Sequence, residues 1–447
     1  MNSISKADTF VFSHYESDFS TGDLYFHYEV IANEHTTHFK EHWHLDTSTH
    51  IQDVPSELID RALQSLHLII GCSYYKAFCP KRIEIKNYSL SPEQAKIWDT
   101  IYTKGLGEFF YKNEIDFRGL IQFPFVEEEK EIKHESFALD EKALVMHGGG
   151  KDSIVTAELI KNSSIPFDLF CLNPKNIQEN VAEVMTKQII SITRRIDPKL
   201  IELNKSSDIY NGHVPISTFY TFAAVLEALL GKYRYIVISS ERSSSYGNVE
   251  YLGEEINHQW SKSEVAEELL RKYIQTYIFK DLKYFSMLRP WYEIKVAERF
   301  ASYPSYFEVF SSSNHNFKIG DKAPTQRWDY SSPKTIFVFT MLSAFLSNEE
   351  MLRIFGENLY EKSEYSAVFQ ELLGLSETKP FECVGTPEEM IVAMNMAYEK
   401  RIYSSEPIMK MFQEKVLSKN MNLDVLKEHV FSIGDASGIP DAFRNLL

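Results

Sequence analysis

The sequence predicts an α/β fold: a parallel sheet flanked by helices, preceded by an α+β region and followed by a helical region. Two observations carry this expectation. Between about residues 140 and 280, short apolar runs alternate with longer amphipathic ones at the spacing of βαβ units, which pack as a parallel sheet covered by helices. The chain is also too long, at 447 residues, for one ordinary core, while its 44% apolar and 25% charged residues are the balance of a folded chain. The rhythm divides it into residues 1–135, an N-terminal α+β domain, 136–345, the α/β domain, and 346–447, a helical C-terminal region.

In the first region, residues 21–32 (TGDLYFHYEVIA) alternate as a strand does, and 37–45 (THFKEHWHL) predict a second strand. Leu58, Ala62, Leu66 and Ile69 share one side of a helix over 57–70, and Ser91 with Pro92 caps and opens a helix reaching residue 102. The charge run at 126–136 (VEEEKEIKHES) reads as a solvated boundary. In the second region the pattern predicts strands over 142–146, 166–172, 199–204 and 233–239. It predicts helices over 153–161, 176–194, 217–230 and 263–278. The helix over 217–230 is apolar nearly all round, hence buried, and Gly231 ends it. Beyond about residue 340 the chain reads as mostly helical.

Several classes are disfavoured. A net charge of −16 is a poor match for a nucleic-acid backbone, so no nucleic-acid partner is expected. The N-terminus lacks the basic start and apolar core of a secretion signal. The longest strongly apolar run, Ile336 to Leu346, is interrupted by Thr340 and Ser343 and is too short to span a bilayer, so no membrane partner is expected. Cys72, Cys79, Cys171 and Cys383 are scattered with no CxxC pair, which argues for a reducing, cytoplasmic location and against a disulfide framework or thiolate zinc site.

The stretch LVMHGGGKDSIV (144–155) falls where the first strand of the α/β region turns into its helix, the end that faces the ligand crevice in open α/β sheets. With no Cβ in the way, Gly148, Gly149 and Gly150 let backbone N–H groups approach an anion, and the helix N-terminus adds positive potential. Ser153 can cap the helix or bond a phosphate oxygen, Lys151 supplies a point charge, and Asp152 makes sense as a magnesium ligand. The same residues also make a plain tight turn with a surface Lys-Asp. The stretch is not GxxxxGK[ST], because Asp152 stands where that motif needs Ser or Thr, nor GxGxxG, because Ser153 takes the place of the last glycine.

The loop resembles instead the SGGxDS loop of the PP-loop (HUP-like) ATP pyrophosphatases, with Gly148 in the usual serine place. Eight stretches, this loop among them, resemble one family, the UDP-N-acetylmuramoyl-L-alanyl-L-glutamate epimerases of some bacteria. They are GCSYYKAF (71–78), GLGEFFY (105–111), GGGKDS (148–153), SSERSSSYGN (239–248), INHQWSKS (256–263), YFSMLRP (284–290), SSNHNF (312–317) and PFECVGTPEE (380–389). The resemblance implies ATP and Mg2+ as cofactors and a UDP-muramoyl dipeptide as substrate. Its terminal L-Glu would be inverted to D-Glu through an acyl-adenylate, with release of AMP and pyrophosphate, in cytoplasmic peptidoglycan precursor synthesis.

Within these stretches, Lys151, Glu241, Arg242, His258 and Cys383 are the catalytic candidates. Glu241 can bind magnesium or act as base, and Arg242 can hold phosphate or carboxylate, unless the two are a solvated pair. His258 can be chemical or structural, and Cys383 is either an acid/base thiol or a buried structural cysteine. Gly148 to Ser153 would hold the ATP phosphates, with Asp152 as metal ligand. Tyr75, Lys76, Asn314 and Lys334 are the substrate-binding candidates, Tyr75 being equally readable as an aromatic contact between domains. One departure stands out: the family's WCxxCPKC segment is here WDYSSPKT, with Asp329, Ser332 and Thr335 in the cysteine places. Other readings are a PP-loop enzyme acting on a different peptide or carboxylate, of amide-forming or tRNA-modifying type, and a non-enzymatic nucleotide-binding module.

Overall fold

The computed structural model describes residues 7–33, 35–46, 53–127, 136–206, 208–313, 326–419 and 421–447. Three long strands open it: β1 (Thr9–Asp18), β2 (Asp23–Ala32) and β3 (His35–Leu45). They are followed by α1 (Ser56–Tyr75), β4 (Arg82–Ile85), α2 (Pro92–Gly105) and α3 (Gly107–Lys112). The middle of the chain forms β5 (Asp140–Met146), α4 (Lys151–Lys161), β6 (Phe167–Leu172), α5 (Asn176–Met185), β7 (Ile189–Arg195), α6 (Pro198–Leu203), α7 (Ile216–Leu230) and β8 (Tyr233–Ile238). A small ribbon, β9 (Val249–Tyr251) with β10 (Glu254–Ile256), precedes α8 (Glu264–Tyr273), β11 (Lys283–Ser286) and α9 (Glu293–Phe300). The remainder is helical: α10 (Pro333–Ser343), α11 (Asn348–Phe355), α12 (Ser366–Leu372), α13 (Pro387–Glu399), α14 (Pro407–Lys415), α15 (Leu423–Phe431) and α16 (Asp441–Arg444).

The result is a mixed α/β fold with a large, mostly parallel sheet. Nine strands run in the order β11-β8-β5-β6-β7-β3-β2-β1-β4. From β11 to β7 every pair is parallel; β7-β3, β3-β2 and β2-β1 are antiparallel, and β4 adds a parallel edge. The parallel strands are covered on both faces, as their apolar runs require. Side-chain alternation splits them between two cores. Leu144, Phe170, Ile236 and Ile238 join the core under α1 and α7, while Ala143, Val145, Leu169 and Val237 join the core under α4, α5, α9 and the C-terminal helices. The chain leaves β5 toward β6 and β7, then returns to the other side of β5 with β8. The crevice at that reversal is where α/β sheets hold ligands. Among the described residues no helix is long and apolar enough to cross a membrane.

The structure departs from the sequence pattern in two places. The helix expected over 176–194 stops at Met185, where Thr186 takes a left-handed φ of 57°, and the β-branched stretch from Ile189 becomes β7 with Ile192 fully buried. The strand expected over 199–204 is instead the short helix α6: Asp197 accepts from the Lys199 N–H and Pro198 occupies the first turn. The expected α8 continues past Tyr273 as a π-helical turn, Ile274–Ile278.

The join between antiparallel and parallel halves rests on one buried ion pair. Arg194 on β7 donates through Nε to Glu41 Oε1 at 2.6 Å, and the same carboxylate accepts from Trp43 Nε1 and the Tyr74 hydroxyl, each at 2.7 Å. Glu41 is fully buried. Removing one member of such a pair strands the other charge. Glu41→Ala should therefore lose about 3–5 kcal/mol of stability, read as a fall in the urea midpoint.

Candidate active site

Three neighbouring parallel strands deliver the site at their carboxyl ends. After β5, Gly149 adopts φ +72° and Gly150 is the N-cap of α4. A Cβ on Gly149 would lie 2.8 Å from Ile177 Cγ2, and one on Gly150 3.1 Å from Ser312 Oγ, whereas one on Gly148 would meet nothing within 4 Å. The loop is thus pressed against its neighbours at two glycines and open at the first. Ser153 donates its hydroxyl to the Gly150 carbonyl at 3.0 Å. The buried Ser312 hydroxyl lies against the bend, and neither it nor the buried hydroxyl of the next residue, Ser313, has a hydrogen-bond partner among the described residues. Buried polar groups left open beside a helix N-terminus suit an anion.

Next to this bend, Asp152, Glu241 after β8 and Glu293 after β11 bring carboxylate oxygens within 4.8 Å of one another. The Lys151 ammonium, 1% exposed, lies on Asp152 at 2.5 Å and on Glu293. Burial pushes Glu293 well above the ordinary carboxylate value, and the neighbouring Asp152 pushes it the same way. Burial and Asp152 likewise raise Glu241. Burial works against Asp152 too, but Lys151, Lys334 and Lys262 outweigh it and hold Asp152 below its ordinary value. Three hard oxygen donors at this spacing fit magnesium, and Lys151 balances their charge.

A sulfur centre adjoins the carboxylates. Lys262 Nζ lies 3.5 Å from Cys383 Sγ. His258 stands close enough to the same sulfur for each to shift the other's titration, and its Nδ1 donates to Glu108. Burial alone would raise the Cys383 thiol, but Lys262, Lys334 and His258 bring it well below the ordinary thiol value. Burial works to lower His258, but the Cys383 and Glu108 charges carry it up to about 9. Another buried lysine, Lys379, faces the same charges and is pushed down to about 8 by burial.

Distant segments are tied together by side-chain amides and one carboxylate. Asn248 donates to the Pro380 carbonyl at 2.7 Å and accepts from the His258 N–H at 2.7 Å. Gln259 donates to the Val384 carbonyl at 3.0 Å. Glu389 accepts from Ile294 N–H at 3.1 Å while capping α13 through Thr386. Where the family's cysteines would stand, Ser332 caps α10 by accepting from the Lys334 N–H, and its hydroxyl donates to Glu382 at 2.7 Å. That cap fixes the base of Lys334, whose charge acts on Asp152 and Cys383.

The structure thus gathers Lys151, Asp152, Glu241, His258, Cys383 and Lys334, with Gly148, Gly149, Gly150 and Ser153 beside them. It does not gather the rest. Arg242 lies over the Tyr292 ring, 4.8 Å from its centroid. Tyr75 is fully buried, its hydroxyl donating to the Pro80 carbonyl at 3.1 Å. Lys76 is buried and donates to Asn211 Oδ1 at 3.1 Å, with burial lowering it to about 8. Asn314 lies outside the described residues. Sequence reasoning passed over Glu293, Glu108 and Lys379. Glu293 follows the YFSMLRP stretch and Glu108 lies inside GLGEFFY, so both had a signal in position although not in residue pattern.

Two measurements check this geometry. Gly149→Ala should lose about 1 kcal/mol or more in urea unfolding, because the residue must hold φ +72° against Ile177. The His258–Glu108 pair should give a bounded pH window. With His258 raised from 6.5 to about 9, its contribution is complete below pH 6.5 and lost as pH rises through 9. With Glu108 lowered from 4.5 to about 2, its contribution is complete above pH 4.5 and lost as pH falls through 2. The stability difference between wild type and His258→Asn, followed from pH 5 to pH 10, should shrink across the upper limb.

Residues 1–287 match the MurL N-terminal domain and residues 309–426 the MurL C-terminal domain. A protein of Xanthomonas oryzae pv. oryzae, named UDP-N-acetyl-alpha-D-muramoyl-L-alanyl-L-glutamate epimerase, is 35% identical over 384 residues, covering 86% of this chain and 85% of its own. Proteins of the same name from a Micromonospora species and from Salinispora tropica are 32% and 33% identical, over 99% and 90% of this chain and 98% and 88% of theirs. No solved structure matches. With both domain models matched and relatives above 30% identity covering most of the chain, the chain belongs to the MurL family.

Proposed function

We propose that this protein inverts the terminal L-glutamate of UDP-N-acetylmuramoyl-L-alanyl-L-glutamate, using ATP, in peptidoglycan precursor synthesis. The observation that carries the reading is the meeting, at one sheet edge, of an open glycine bend, three carboxylates and a thiol in contact with a buried lysine beside a charged histidine. The three relatives named for this reaction support the substrate.

A free carboxylate makes its neighbouring Cα–H very hard to remove, because the resulting enolate carries still more negative charge. Activation cancels that charge. In this reading, which makes the chain a PP-loop enzyme, a substrate carboxylate oxygen attacks the α-phosphorus of ATP, the bond to the β-phosphate bridging oxygen breaks, and pyrophosphate leaves. Gly148 to Gly150, the α4 N-terminus and the Ser312 and Ser313 hydroxyls hold the phosphates. Asp152, Glu241 and Glu293 would hold magnesium, which neutralises the pyrophosphate charge. Cys383 then takes the Cα proton, a proton of solvent origin is delivered to the opposite face of the enolate, and water hydrolyses the acyl-adenylate to the free carboxylate and AMP. Lys262 and His258 keep the sulfur ionised for that step, and Lys334 holds the negative groups of the activated substrate.

The reaction is run with ATP, magnesium and the UDP-muramoyl dipeptide in deuterated water. D-Glu carrying solvent deuterium at Cα, with AMP and pyrophosphate, is the expected outcome; AMP without an inverted centre would point to an adenylating enzyme of another class, and nucleotide binding without turnover to a binding module. Asp152→Ala should abolish pyrophosphate release with the fold intact. Cys383→Ala should still form pyrophosphate yet lose exchange and inversion by at least about a hundredfold, the usual contribution of one acid/base group. Gly148→Ala should unfold like the wild type, since its methyl meets no neighbour, but should weaken ATP use by filling the opening.

A further inference from the structure

We propose that Glu108 is a positioning residue for the Cys383 thiol: its carboxylate holds the His258 ring by one nitrogen so that the other stays protonated and donates to the sulfur. The inference rests on the epimerase reading for what the thiol does in turnover, but the geometry and its first test do not.

Glu108 is remote in sequence from both partners, yet α3 buries it against them, with 6% of its side chain exposed. One oxygen, Oε1, accepts from Lys112 at 2.5 Å; the other, Oε2, takes His258 Nδ1 together with His213 Nδ1 at 3.3 Å. The two rings lie 4.7 Å apart, too close for both to be charged. They divide the roles. Burial, reinforced by the charge on His258, pushes His213 down to about 3, so it stays neutral beside Glu108. His258 remains the cation, with N–H groups on both nitrogens, one for Glu108 and one for sulfur. A neutral His258 has a hydrogen on only one nitrogen and so cannot donate to both.

The groups facing Cys383 are Lys262, Lys334 and His258, with Lys379 close enough to respond to its charge. Those facing Glu108 are His258, His213 and Lys112. Removing the Glu108 charge leaves both lysines at the sulfur, so the thiolate should weaken rather than vanish. The other cysteines provide a silent background. Burial drives Cys72 and Cys171 far above the ordinary thiol value and Cys79 up to about 12. Below pH 8, alkylation therefore reports Cys383 alone.

The test is the rate of iodoacetamide labelling of the Cys383 peptide as a function of pH, read by mass spectrometry, on the full chain. Wild type should label with an ionisation midpoint clearly below that of an ordinary thiol. Glu108→Gln, which keeps the shape and removes the charge, should shift the profile upward by about one unit, or roughly tenfold slower labelling at pH 6. Glu108→Asp should restore most of it. His258→Asn should shift it comparably, and the Glu108→Gln/His258→Asn double variant should be no slower than His258→Asn alone. A folded Glu108→Gln whose profile superimposes on wild type overturns the proposal; so does an ordinary-thiol midpoint in the wild type, which requires no variant to fold. Failure of the epimerase reading would look different: no inversion of the dipeptide, with the labelling profiles shifting as stated.

Discussion

The site depends on one constraint: a group of charges withdrawn from water must neutralise one another. Lys151 is buried because Asp152 and Glu293 receive it, and those carboxylates are tolerable because Lys151 is there. The balance extends through Glu241 to Lys262, and from Lys262 to the Cys383 sulfur and His258. The cluster is nearly neutral only as a whole.

The scaffold supplies that cluster by topology more than by local preference. Reversal of the chain at β5 puts two strand ends side by side, and β11 adds a third. Each carries one carboxylate of the trio. The second core, beneath α4 and α9, then fixes the C-terminal helices against this edge, and the thiol comes with them. Asn248, Gln259 and Glu389 act as cross-braces whose partners lie more than ninety residues away.

What could be read from the sequence was what short stretches encode. The glycine bend was legible because strand, glycines and helix follow one another without a gap, and the pairing of Glu241 with it followed from an apolar strand before a polar loop. The error over 176–194 came from reading a helical period through Thr186, whose left-handed backbone ends the helix without a glycine to announce it. Glu293 lies just past the YFSMLRP stretch, but its role was not legible because the partner that reveals it, Lys151, is 142 residues earlier. Arg242 and Tyr75 looked chemical from composition, but one stacks on Tyr292 and the other fills an aromatic core, choices made by packing that no local pattern displays. The stretch WDYSSPKT shows the converse: without thiols it is still a well-formed helix start, with Ser332 as the cap.

The Glu41–Arg194 pair has a mechanical corollary. Because β3 and β7 pair along His42–Leu45 and Arg194 is bound to Glu41 across them, the antiparallel and parallel halves belong to a single sheet. Parting the two halves would break that strand pairing and strip Glu41 and Arg194 of each other, so the strand ends that carry the three carboxylates are held in place by the sheet itself.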